Sequence, residues 1–132
     1  MRYLLLLLVL SIATFGQDVA EAPSHSFFQR GSEIRMGVIA GFIAADGITT
    51  QHILGVDHGS EMNPLVRPLV RKGAPGQAGA SILGYAFSIG SSYFLHRTGH
   101  HRLERLMLNG TIAIEAECVT SNLVQIGKAR RY

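Results

Sequence analysis

Residues Gly73 to Leu95 read GAPGQAGASILGYAFSIGSSYFL, a 23-residue run without a Lys, Arg, Asp, Glu or His. About 20 apolar residues in a helix cover the roughly 30 Å of bilayer hydrocarbon, so this run is long enough to span unaided. Pro75 suits the first turn of a helix. Ala80, Gly84, Ser88 and Ser92 recur every four residues, the small-side-chain spacing of a packed helix–helix seam. Tyr93 and Phe94 fit an aromatic interface belt ahead of the basic stretch His96-Arg97-Thr98-Gly99-His100-His101-Arg102. The stretch makes the fold helical and points it at a membrane.

The rest of the 132-residue chain agrees in composition. Charged residues make up 16% of it, against about 25% in an ordinary soluble domain. The 12 Lys and Arg and 9 Asp and Glu leave a net charge of +3, too balanced and too scattered for a nucleic-acid partner. A single cysteine, Cys118, excludes an internal disulfide framework and a cysteine-based zinc site.

Arg2 followed by the aliphatic run Leu4 to Ile12, with Thr14-Phe15-Gly16 ahead of Gln17, has the layout of a secretory signal. Residues 1–16 are therefore expected to be a signal peptide or an uncleaved anchor, and residues 17–33 an exposed linker. Either reading starts the remainder on the outer side of a bacterial inner membrane. Residues 34–127 form the expected helical membrane domain, and residues 128–132 a basic tail.

Within that domain the spacing predicts a helix over 34–54, capped by Ser32, with Gly37, Gly41 and Ala45 as a second small-residue stripe. Eight Leu, Ile, Phe or Val residues in it favour insertion by roughly 2.4–4.8 kcal/mol, while a central Asp46 costs about 2.5–3.5. Asn63-Pro64 reads as an N-cap and first position of a short amphipathic helix that carries Arg67, Arg71 and Lys72 and is interrupted by Pro68. A last helix is expected over 103–126, where Glu115 and Glu117 permit insertion only against partner helices or when protonated. Lys and Arg divide almost evenly between the two sides, so they set no clear orientation. The expected fold is thus an all-α bundle of two to three short transmembrane helices plus an amphipathic helix.

The polar residues inside the apolar segments are the candidate site. Asp46, Thr49 and Thr50 share one helical face, and Glu115, Cys118 and Asn122 share another. Glu61 and Asn63 follow in the turn between the helices. One reading is a structural hydrogen-bond network; a second is a cation or proton site built on Asp46, Glu61 and Glu115; a third is a hydrolase using two of these carboxylates. No nucleophile elbow, phosphate-binding glycine loop or His-Glu-x-x-His occurs, so no enzyme, cofactor or metal is expected. His96, His100 and His101 are loosely spaced like metal ligands. Arg97, Arg102 and Arg105 around them favour a loop facing lipid headgroups instead.

Asp46-x-x-Thr49-Thr50 followed by Glu61-x-Asn63-Pro64 and a small-residue helix resembles a group of small bacterial membrane proteins of unassigned activity, over residues 34–126. The resemblance implies a membrane location and a helical fold. The expected role is a small structural or interaction component of the inner membrane. Its partners would be the lipid bilayer and a second copy or another membrane protein. The alternatives are an ion- or proton-transport unit and a periplasmic soluble helical domain.

Overall fold

The structure is a computed structural model that describes residues 25–56 and 63–129. The expected signal peptide, the first part of the linker, Glu61 and the last residues of the basic tail lie outside the described residues. Among the described residues four helices follow in order: α1 (Arg30–Val56), α2 (Arg67–Val70), α3 (Ala74–Arg97) and α4 (His101–Ala129). Among the described residues the chain is all-α, as the patterning predicts.

Cross-links between the helices give the topology. Arg35 Nε donates to Asn109 Oδ1 at 2.9 Å and Asn122 Nδ2 to Asp46 Oδ1 at 3.0 Å, so α1 and α4 run parallel. Gly47 lies against Gln77 and Ser81, and Ser88 against Thr111 at 2.9 Å, so α3 runs antiparallel to both. Thr111 spends its proton on the Met107 carbonyl at 2.9 Å, which leaves Ser88 as the donor in that pair. Ile39, Ile43 and Leu108 form the buried centre, with Tyr85, Ile89 and Ile112 packed around it. The tie at the other end is polar: Gln51 Nε2 donates to the Val70 carbonyl at 3.2 Å and approaches Gln77 Oε1 at 3.5 Å.

Helix ends follow the local chemistry with some shifts. The Ser32 and Glu33 amides donate to the Gln29 carbonyl at 2.9 and 3.0 Å, so α1 starts earlier than expected and Ser32 is buried in its first turn instead of capping it. Asn63 and Pro64 do not open α2: Asn63 Oδ1 accepts from the Leu65 amide at 3.0 Å in a turn, and the helix starts only at Arg67, with Val66 at its N-cap position and no side-chain cap. Pro68 falls in the first turn of α2, where its missing N–H costs nothing, so it ends up inside a short helix and does not interrupt a longer one. Between α3 and α4, Gly99 takes φ +83°, a conformation that favours glycine. Thr98 Oγ1 covers the Phe94 and Leu95 carbonyls at 3.0 and 3.1 Å.

The two small-residue stripes behave differently. On α3, Ala80, Ser88 and Ser92 are buried against the bundle, as the ladder predicts, although Gly84 is exposed. On α1, Gly37 and Gly41 are exposed with no side chain of the described residues against them, and the seam is made by Met36, Ile39, Ile43, Gly47 and Ile53. Burying an isoleucine removes far more apolar surface from water than burying a glycine, so the larger residues take the inner face.

The expected spans fall on α1, α3 and α4, yet no described helix is long and apolar enough to cross a membrane. The cause is visible in the residues that suggested the spans. Glycine, serine and alanine allow close packing but contribute little transfer energy, and in α3 they outnumber the large apolar residues.

Candidate metal centre

Four side chains converge where α3 hands over to α4. His96 lies in the last turn of α3, His101 opens α4, and Glu104 follows one turn later. The fourth, His25, comes from the segment ahead of α1. One donor atom from each of the four lies within 4.8 Å of the others.

Glu104 is the hub and is completely buried. Its Oε2 accepts from His96 Nδ1 at 2.9 Å and from His101 Nδ1 at 3.4 Å, and its Oε1 pairs with His25 Nε2 at 3.2 Å. The three rings stand edge-on or tilted to one another with centroids 4.8–5.2 Å apart. Phe27 is buried beside them, in edge contact with Tyr93 at 5.2 Å and tilted against His96 at 5.4 Å, which fixes the segment that carries His25.

A carboxylate at this depth is costly unless it is satisfied. Burial pushes the Glu104 pKa up, but hydrogen bonds from His96, His25 and His101 and the charge of His25 outweigh it, and the carboxyl is held below the usual value. Its place in the first turn of α4 adds the favourable end of the helix dipole.

The donor set suits a transition-metal ion. Three imidazoles and one carboxylate match zinc and its first-row neighbours and contrast with the all-oxygen shells of calcium or magnesium. With bonds of about 2.0–2.1 Å, a tetrahedral shell places ligand atoms about 3.3 Å apart, so the donors need to close by about 1.5 Å at most. The histidine side chains are 10–15% exposed, which makes the site a closed one with entry from the protein's edge.

The amino-acid sequence singled out His96 and His101 but grouped them with His100, which is exposed and turned to Thr98 Oγ1 at 3.0 Å. It passed over His25 and Glu104. The arginines that seemed to spoil the site do not occupy it: Arg97 and Arg102 are exposed, whereas the four donors face inward. The H-x4-H-x2-E spacing of His96, His101 and Glu104 was the one available signal.

The residues singled out for a polar site assemble separately. Asn122 Nδ2 lies 3.0 Å from each of Asp46 Oδ1, Thr49 Oγ1 and Thr50 Oγ1. An amide carries two hydrogens, so three acceptors share them. Thr49 also donates to the Ala45 carbonyl at 2.9 Å. Burial, and then the charge of Asp46, push the Glu115 pKa up, which places Glu115 beside this network. Cys118 is exposed, and Asn63 serves its own turn. No family model, curated protein or solved structure matches the chain.

Proposed function

We propose that this protein is a small helical bundle that binds one divalent transition-metal ion through His25, His96, His101 and Glu104. The observation that carries the reading is the convergence of three imidazoles from two distant parts of the chain on one fully buried carboxylate. Four protein donors in a closed pocket suit an ion held for structure, since a catalytic site keeps a position open for substrate. The ion would fasten the segment ahead of α1 to the α3–α4 corner.

Zinc titration of the full chain by calorimetry tests this. The expected result is one Zn2+ per chain, with affinity reduced at least ten- to hundredfold in His96→Ala and in Glu104→Gln. Absence of saturable binding by the wild-type chain would overturn the reading, and so would unchanged affinity in both variants.

A further inference from the structure

Helix α3 packs Tyr85 and Ile89 against the core but leaves several of its largest apolar side chains outside the bundle. The side it turns to the bundle carries Gly76, Gln77, Ala80, Ser88 and Ser92, while Ile82, Leu83, Phe87 and Phe94 are 67, 62, 70 and 66% exposed. A helix whose only environment is its own bundle and water puts its largest apolar side chains inward. An open groove lined by Ala86, Phe87, Gly90, Ser91, Phe94 and Leu95 runs along the outer side. This face is contiguous and apolar, which marks an interaction surface.

Charge identifies what covers it. From Met62 to Leu103 the chain contains no Asp or Glu but carries Arg67, Arg71, Lys72, Arg97 and Arg102. Arg71 and Lys72 are exposed just before α3 begins, and Arg97 and Arg102 are exposed at its far end. The helix between them is about 36 Å long. Two copies packed through this face would set one basic end against another in either orientation, so a second copy is electrostatically mismatched. An apolar strip with cations at both ends and no anions fits a surface that is apolar below and anionic above. That description is met by an anionic lipid interface.

We infer that α3 is a lipid-docking helix: it lies in the plane of an anionic membrane surface, with Ile82, Leu83, Phe87 and Phe94 in the acyl boundary and the flanking Arg and Lys residues at the phosphates. In-plane binding needs no helix apolar enough to cross the bilayer, in keeping with the hydropathy of α3. It is independent of the metal site, which lies at the α3–α4 corner.

Co-flotation of the full chain with preformed vesicles tests the inference. Vesicles of phosphatidylcholine with about a third phosphatidylglycerol should recover at least tenfold more protein than phosphatidylcholine alone, and raising NaCl from low to high concentration should cancel most of the difference. Phe87→Ser and Phe94→Ser lie on the exposed side and should keep the wild-type helical circular dichroism while losing binding at least tenfold. Arg71→Ala with Lys72→Ala should lose the preference for anionic lipid. Wild-type flotation in all of these variants would overturn the proposal. A concentration-dependent dimer abolished by Phe87→Ser, without vesicle binding, would assign the face to a second copy instead. Retention that survives both high salt and carbonate would show insertion across the bilayer and overturn the in-plane arrangement.

Discussion

Single side chains show how burial and charge are traded in this bundle. Ser92 is fully buried and its hydroxyl finds no partner among the described residues, whereas Ser88, one turn away on the same side, donates to Thr111. The need for a small residue at both positions is legible in the four-residue ladder, but the fate of each hydroxyl depends on what the neighbouring helix offers. Glu115 makes a sharper case. Its folded pKa is raised, first by burial and then by the charge of Asp46, so the native state holds the proton more tightly than the unfolded chain. Stability from this group is therefore present at acid pH and falls as pH rises from the ordinary carboxyl pKa through the raised one. Glu115→Gln removes that loss. Its urea midpoint is expected to lie above the wild-type midpoint at pH 7, with the gap shrinking toward pH 4. A wild-type advantage at pH 7 would show instead that the charged carboxylate stabilises the network.

Between elements, the legible part of the site was the part that obeys helical periodicity. Residues 46, 49 and 50 had to share a face, as did 115 and 122, and the structure joins the two sets through the Asn122 amide. Cys118 satisfied the same spacing and is nevertheless exposed, since a face some 100° wide includes edges open to solvent. The punctuation by Gly73 and Pro75 was legible too, and it places the start of α3, whereas Asn63-Pro64 marks a turn and α2 begins only at Arg67. What it did not reveal is how closely those two pieces meet. A Cβ built on Gly76 would lie 1.9 Å from the Leu69 carbonyl oxygen, a backbone atom that cannot swing aside. Gly76→Ala should therefore displace α2 from α3 and cost about 1–3 kcal/mol or more in chemical denaturation. Gly79→Ala has open space around it and should be neutral or slightly stabilising through helix propensity. Equal effects of the two substitutions would mean that the α2–α3 contact adds nothing to stability.

At the scale of the whole molecule the candidate metal centre escaped sequence reading because its parts obey no common period. His96, His101 and Glu104 are close in the chain, but His25 precedes Glu104 by 79 residues and sits in a stretch without regular patterning. Only the parallel arrangement of α1 and α4 brings the start of one to the start of the other. The same arrangement gives an ion leverage that a local site lacks, since it would link the segment ahead of α1 to the far half of the chain. An ion that binds only the folded form stabilises it by RT ln(1 + [L]/Kd), about 2.7 kcal/mol at a hundredfold excess over Kd. In His25→Ala the three remaining donors lie within nine residues of one another and persist partly in the unfolded chain, so the gain should be much smaller at the same ratio of zinc to its own Kd. Denaturation with and without zinc, reversed by chelator, measures both gains, with proteolysis near Phe27 and Phe28 reporting whether the segment is held. Equal zinc stabilisation of wild type and His25→Ala, with equal protection of that segment, would reduce the site to a local ornament of the α3–α4 corner and remove its role in fastening the chain.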